Sequence, residues 1–329
     1  MIFADTAALF LLAALALDAV IGDPKWIWKH IPHPVALAGM FISWLDRSLN
    51  RPSQSPRTRR CAGVLTIFLL VLSAATIGLA ITMITRSGGI AGALFEIMIV
   101  AIMLALRSLI EHVSAVQAAF STGGLPAART AVSMIVGRDP QVLDTAGVCR
   151  ASIESAAENL SDGVVAPFFW YLVAGLPGLL VYKMINTADS MIGHRTPQHE
   201  AFGWASARLD DLVNLLPARL TAVLIAITGP VNNSSIFRAL AIAWRDARGH
   251  RSPNAGWPEA AMASVLGVAL AGPRTYGGKL VDDHWMFPEG RHAAAPDDIG
   301  RACRILMAAG CLLAALATPL ALPALILFA

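Results

Sequence analysis

Three carboxylates stand four residues apart at Glu154, Glu158 and Asp162, with Arg150 one turn ahead of them. In a helix that spacing sets all four on one face, where like charges repel unless a cation lies among them. Magnesium suits such a face, because it takes one or two carboxylates together with substrate phosphates. The plainer reading is a solvated surface on which Arg150 pairs with Glu154. However, the chain continues as Gly163-Val164-Val165-Ala166-Pro167, so the acidic face runs straight into apolar sequence, where a solvated surface has no use.

Asn186, Thr187, Asp189 and Ser190 are followed by Gly193, His194 and Arg195. These are ordinary cap and turn residues, and they equally form a polar lip at the edge of the apolar run that ends near Met184. Arg208, Asp210, Asp211, Asn214 and Arg219 fall on a predicted amphipathic helix. They form mutual salt bridges, or they bind a metal through the acids and phosphate through the planar forks of Arg208 and Arg219. The stretch Ser252 to Glu259, with Asn254 inside it, has turn residues ahead of a helix that Pro258 would open, with Glu259 in its first turn. Near the amino end, Gly22-Asp23-Pro24 and His33-Pro34-Val35 bracket a loop whose Trp26 and Trp28 fit an interfacial belt.

Some signatures are missing. Gly272 to Lys279 places a lysine after glycines, but Leu280 stands where a P-loop needs Ser or Thr. His30 and His33 lack partner ligands for a metal pair, and no Gly-x-Ser-x-Gly marks a covalent hydrolase. Asp282 and His284 nearly spell a cobalamin-type Asp-x-His-x-x-Gly, which fails at Phe287. Cys61, Cys149, Cys303 and Cys311 show neither CxxC nor Cys/His spacing, so neither a disulfide framework nor a zinc site is expected.

The elements that must position these groups are apolar. Hydrophobic residues make up 56% of the 329, charged residues only 14%, and mean hydropathy is +0.61, against roughly 25% charged in soluble domains. The net charge of +3, with arginines scattered among acids, gives no case for a nucleic-acid partner. Runs at 2–21, 61–84, 90–106 and 303–328 are long enough to cross a bilayer of roughly 30 Å, and Ser87-Gly88-Gly89 makes a hairpin of the second and third. The first is expected to be retained rather than cleaved as a signal peptide. Runs at 163–182, 219–231 and 258–272 are weaker. Arg51, Arg57, Arg59 and Arg60 place the loop before the second span in the cytoplasm, and Arg291, Arg301 and Arg304 place the start of the last span there too. At least one middle run therefore cannot cross. Pro167 and Pro177-Gly178 interrupt 163–182, the preferred re-entrant element, since a broken helix at membrane depth needs shielding. The expected fold is all-α: one polytopic integral membrane domain over 1–329, with re-entrant or buried short helices and amphipathic cytoplasmic helices. Its cytoplasm-facing polar segments are 23–60, 107–162, 183–218, 232–257 and 273–302. No internal repeat supports a duplicated transporter fold.

The strings GDP at 22–24, HPV at 33–35, ESAAENLSDGVVAPFF at 154–169, NTADSMIGH at 186–194, FGWASARLDDLVNLLPARL at 202–220 and SPNAGWPEAAMA at 252–263 together resemble the adenosylcobinamide-phosphate synthase family of cobalamin biosynthesis, in the same order over nearly the whole chain. The resemblance implies an enzyme of the bacterial inner membrane. It uses ATP and magnesium to join adenosylcobyric acid to (R)-1-aminopropan-2-ol O-phosphate, or a related amino alcohol, through an amide bond. Other membrane enzymes of cobalamin assembly are its implied partners. His194 and His199 stand where relatives often carry tyrosine, a departure that bears on the choice of amine.

Phosphoryl transfer needs positioned cations far more than covalent help. Glu154, Glu158, Asp162, Asp210 and Asp211 are accordingly the expected catalytic groups, with Glu158, Asp162, Asp189 and Asp211 as magnesium ligands. Asn159, Asn186, Asp189, Ser190, Arg208, Asn214, Arg219 and Asn254 are the expected substrate- and nucleotide-binding groups. The competing class is a non-enzymatic membrane protein. One form is a regulatory sensor such as that of the beta-lactamase induction system, which the fold also resembles. The other is a transporter, for which Glu96 inside the third span is the one candidate.

Overall fold

The computed structural model describes residues 2–23, 25–136, 140–276, 279–281 and 283–328. Pro24 of the first string, and Gly277, Gly278 and Asp282 of the glycine-rich and near-cobalamin stretches, lie outside the described residues. The chain is helical almost throughout: α1 (Ile2–Ile21), α2 (Lys25–Trp28), α3 (Pro34–Leu49), α4 (Pro56–Ser87), α5 (Gly89–Met103), α6 (Leu106–Val132), α7 (Thr145–Leu160), α8 (Ala166–Ile192), α9 (Trp204–Val213), α10 (Leu215–Ile227), α11 (Ile236–Asp246), α12 (Gly256–Leu266) and α13 (Pro296–Phe328). Among the described residues, four helical stretches are long and apolar enough to cross a membrane: Pro56–Ser87, Gly89–Val132, Thr145–Ile192 and Pro296–Pro323. This is a polytopic membrane protein. The hairpin turn lies where Ser87-Gly88-Gly89 predicts it. Ser55 starts α4 five residues before the apolar run by accepting the Thr58 N–H at 3.2 Å, with Pro56 in the first turn, a standard way to satisfy free N–H groups at a helix start.

The chain divides into two compact units. The first comprises Met1–Leu104, Ala166–Asn214 and Ala317–Ala329. In it α4 packs along α8 and α1 along α5, around a core that includes Ile42, Leu45, Leu70, Ile185 and Phe202. A side chain at Gly63 would overlap the Phe202 carbonyl, so only glycine lets α4 approach the chain that leads into α9. Glu96 is buried, and each of its carboxylate oxygens accepts a hydrogen bond, from Tyr171 at 2.8 Å and Thr85 at 2.7 Å.

The interruption predicted within 163–182 occurs at Ala174–Gly175. Gly175 takes φ 62° and ψ −155°, a conformation essentially reserved for glycine, two residues before Pro177, whose ring excludes the preceding helical carbonyl. Pro167 produces no break: the helical stretch Thr145–Ile192 runs on through it, with the π turn Ser161–Val165 immediately before. Gly124 in α6 has the same angles, φ 63° and ψ −156°, again with Leu and then Pro after it.

The second unit comprises Ala105–Val165 and Leu215–Leu316. Residues 106–132, placed by composition in a polar segment, form α6, which buries Leu109, Val113 and Val116 at helical spacing. Asp144 caps α7 by accepting the Gly147 N–H at 2.7 Å. A five-residue π turn, Ser161–Val165, follows α7. It leaves the Gly163 carbonyl to accept the Ala105 N–H at 3.2 Å. The run 258–272 becomes α12, whose 11 residues span only about 16 Å. It is buried from Pro258 to Leu266, packs against α10 and α11, and ends at left-handed Gly267, φ 72°. Short strands β1 (Leu270–Ala271), β2 (Arg274–Tyr276), β3 (Lys279–Val281) and β4 (Trp285–Met286) follow, with β1 paired antiparallel to β4 and β2 to β3.

Candidate functional site

In the first unit, the end of α8 and the whole of α9 bring Asn186, Asp189, Asp210, Asp211 and Asn214 together. Asp210 Oδ1 accepts from the Asn186 amide at 3.3 Å, and Oδ2 accepts from the Asn214 amide at 3.0 Å. Both oxygens of one carboxylate are thus aimed by neutral amides. Asn214 is itself buried, and its Oδ1 accepts from the Tyr182 hydroxyl at 3.0 Å. Burial, then the neighbouring Asp189 carboxylate, pushes the Asp210 carboxyl up to about 7 against the opposing pull of the two amides. Asp211 is also raised by burial, with Arg208 and Arg195 working against the shift, and Arg208 Nη1 lies 3.4 Å from its Oδ2.

The sequence folds this way for local reasons. Tyr182, Asn186 and Asp189 lie on successive turns of one face of α8, and the Gly193 N–H bonds the Asp189 carbonyl at 2.7 Å. A side chain at Gly193 would overlap the Asp189 carboxylate. Ser190 turns its hydroxyl back to the Asn186 carbonyl at 3.0 Å. The amino-terminal strings reach the same unit: His33 Nδ1 caps α3 by accepting the Val35 N–H at 3.2 Å. Burial lowers the His33 pKa, with Asp23 and Lys183 the charges that act on it.

The second unit holds the other predicted groups. Arg219 Nη1 donates to Asn254 Oδ1 at 2.8 Å and to the Leu215 carbonyl at 3.0 Å, and its guanidinium lies 4.7 Å from the centre of the Trp257 ring. Ser252 Oγ accepts from the Asn254 and Ala255 N–H groups, building the turn read from sequence ahead of α12. His250 Nε2 stands 3.8 Å from Glu259. Glu154 is buried and accepts the Ala271 N–H at 2.8 Å, which stabilises a non-glycine residue at φ 57°. Arg150 donates to the His292 carbonyl at 2.9 Å and covers Trp285. One and two turns after Glu154, Glu158 is exposed and Asp162 half-buried in the π turn. Asn159 donates to the Ser155 carbonyl at 2.8 Å.

Thus Asn186, Asp189, Asp210, Asp211, Asn214 and Arg208 belong to one unit, and Glu154, Glu158, Asn159, Asp162, Arg219 and Asn254 to the other. Tyr182 and Gly193 were not singled out from the sequence as site residues. Tyr182 stands in an apolar run, and its only signal is its place four residues before Asn186. Among the described residues no three His, Cys, Asp or Glu side chains stand together as a ready metal-ligand set. A magnesium ion that arrives on a nucleotide needs only one or two protein carboxylates. Asp189, whose charge acts on Asp210, offers a carboxylate of that kind.

Residues 11–306 match the protein family described as CobD/Cbib protein. The chain is 52% identical over 303 residues to the cobalamin biosynthesis protein CobD of Rhizobium meliloti (strain 1021), covering 92% of this chain and 93% of that one. It is 49% identical over 321 residues to the protein of the same name from Sinorhizobium fredii (strain NBRC 101917 / NGR234), covering 97% and 98%. A further relative with that name, from Rhodobacter capsulatus, is 48% identical over 290 residues, 88% of each chain. No solved structure matches the chain.

Proposed function

The chain belongs to the CobD/Cbib protein family, and on that premise we propose that this membrane enzyme of cobalamin biosynthesis is an ATP-dependent amide ligase. It joins the carboxylate of adenosylcobyric acid to the amine of (R)-1-aminopropan-2-ol O-phosphate, or a related amino alcohol, at the cytoplasmic face of the bacterial inner membrane. The observation that carries the reading is the Asp210 carboxylate, aimed by the Asn186 and Asn214 amides beside Asp189. This arrangement fits a group that must take a proton from an ammonium without being locked in a salt bridge of its own.

A corrinoid carboxylate oxygen attacks the γ-phosphorus of ATP, the bond to ADP breaks, and an acyl phosphate forms. The primary amine then attacks the acyl carbon, the C–O bond breaks, and inorganic phosphate leaves. Asp210 accepts the proton that the amine must lose. Asn186 and Asn214 hold Asp210 in place, and Ser190 closes the turn beside it. Asp189 and Asp211 in the first unit, and Glu158 and Asp162 in the second, are each a carboxylate pair of the size that would hold a magnesium ion brought in with ATP, which would neutralise phosphate charge when bound. Arg208 and Arg219 hold phosphate oxygens, Asn254 orients Arg219, and Asn159 meets substrate amides. Glu154 acts by fixing the backbone at Ala271. Glu96 supports a transporter reading less than its sequence position does, because Tyr171 and Thr85 occupy both of its oxygens.

The test is turnover by the purified protein in detergent, given adenosylcobyric acid, the amino alcohol phosphate, ATP and magnesium, with product identified by mass. An amide product with ADP release is expected. Absence of product from folded protein sinks the proposal and favours the regulatory reading. Asp210→Ala and Glu158→Ala should each abolish product while the protein still inserts in the membrane.

A further inference from the structure

In the first unit, α3 and the first half of α4 enclose an apolar groove of about 480 Å³. Phe41, Trp44 and Leu45 of α3 line it, with Leu65, Leu69 and Leu72 of α4 opposite. Both sets recur at helical spacing, so the groove runs along the two helices rather than across them. Phe41 and Trp44 stack with centroids 6.0 Å apart and form one wall. The two hydroxyls in the lining are turned away from any occupant: Ser48 donates to the Trp44 carbonyl at 2.7 Å and Ser73 to the Leu70 carbonyl at 2.8 Å. Nothing in the groove asks for a polar ligand. Beside it on α4, Val64 and Phe68 are exposed on a helix that is itself long and apolar enough to cross the bilayer.

The chain that joins the two groove-lining helices is rich in arginine. Ser48 and Leu49 close α3, and the chain then passes Arg51 and Arg57 before re-entering the groove at Leu65, with Arg47 in the last turn of α3. Two further arginines in this region are already engaged. Arg59 donates to Asn50 Oδ1 at 2.8 Å, and Arg60 covers the Trp204 ring at 4.7 Å. Arg47, Arg51 and Arg57 are exposed. The nearby acid, Asp46, accepts from Asn50 at 2.8 Å and faces His199 at 3.3 Å. An apolar groove whose two helices are joined by an arginine-rich connection matches a molecule with a hydrocarbon tail and an anionic head. Basic pockets beside membrane helices recognise acidic lipid headgroups in this way.

We propose that the α3–α4 groove holds one acyl chain of an acidic phospholipid from the surrounding bilayer, with its phosphate on Arg47, Arg51 and Arg57. The lipid anchors α3 against α4 at the basic end of the span. The bound lipid belongs to the membrane and is not a substrate of the ligase reaction.

Delipidated full-length protein in detergent, titrated with phosphatidylglycerol and with phosphatidylcholine and read by native mass spectrometry, tests this. Wild type should retain phosphatidylglycerol selectively. The triple variant Arg47→Ala/Arg51→Ala/Arg57→Ala should lose that preference by roughly 100-fold, at about a factor of five for each arginine. Leu69→Trp, which fills the groove, should lose both lipids. Quenching of Trp44 by brominated phosphatidylglycerol, taken as the difference from Trp44→Phe, gives a second readout that needs no groove-filling variant. Equal retention of the two lipids by wild type, an unchanged preference in the triple variant, or no quenching at Trp44 would overturn the assignment.

Discussion

Replacing Asp210 with Asn separates the carboxylate's charge from its shape. The side chains are nearly isosteric, yet Asp210 receives two amide donors, from Asn186 and Asn214, and an Asn side chain offers one oxygen. One donor therefore loses its acceptor, a loss of about 1 kcal/mol for a partly wet group. The larger effect depends on pH. The Asp210 carboxyl lies at about 7 in the folded protein against 3.8 ordinarily, a rise of about three units. Between those values the folded state holds a proton that the unfolded chain has released, so stability falls as pH rises from about 4 to 7. Three units at 1.36 kcal/mol each bound the effect at about 4 kcal/mol. Asp210→Asn removes this slope. Thermal unfolding in detergent, without nucleotide or magnesium, should show the wild type losing ground to the variant as pH rises through that window. Parallel curves would refute the burial and Asp189 repulsion that the raised pKa rests on. In turnover the same substitution removes the proton acceptor, and a general base is typically worth 10²–10⁴-fold in rate.

Arg219→Lys keeps the charge but loses the planar fork that holds Asn254 and stacks on Trp257, so KM for a phosphate-bearing substrate should rise about tenfold with kcat little changed. Unchanged KM values for ATP and for the amino alcohol phosphate would remove Arg219 from phosphate binding. Glu154→Ala strands the buried Ala271 N–H and should lower unfolding stability by about 1–3 kcal/mol, whereas Glu154→Gln, which keeps an acceptor, should cost under about 1 kcal/mol. Equal losses in the two variants would contradict a role in holding that backbone. Gly175→Ala forces a side chain into a glycine-only conformation and should destabilise by about 1–3 kcal/mol; an unshifted melting temperature would mean that α8 tolerates a straighter path.

Three spans were legible because about twenty apolar residues in a row have few other uses: the runs at 61–84, 90–106 and 303–328 fall on the stretches Pro56–Ser87, Gly89–Val132 and Pro296–Pro323, whereas the run at 2–21 holds a shorter apolar helix and 163–182, preferred as re-entrant, lies within Thr145–Ile192, which is long and apolar enough to cross. The polar strings were legible for the opposite reason, since acids and amides interrupt apolar sequence at Glu154, Asn186 and Asp210. Helix α6 was hidden by the charges on its outer face, which mask the buried stripe of Leu109, Val113 and Val116. The break in α8 was placed too close to its proline, because the strain falls on Gly175 and not on Pro177. Tyr182 was invisible as a site residue, since a tyrosine in an apolar run is identified only by the partner its hydroxyl meets. Glu154 and Glu158 share α7 as their spacing predicts, while Asp162 falls in the π turn after it. Only the structure separates buried Glu154, tied to a backbone N–H, from exposed Glu158.

The most direct test of an ATP-activated amide synthesis follows an oxygen atom. Adenosylcobyric acid carrying ¹⁸O in its reactive carboxylate, turned over by the purified protein with ATP, magnesium and the amino alcohol phosphate, should deliver one labelled oxygen to inorganic phosphate as the amide forms. Label in AMP, or an amide formed with no transfer of label, would contradict the acyl phosphate route.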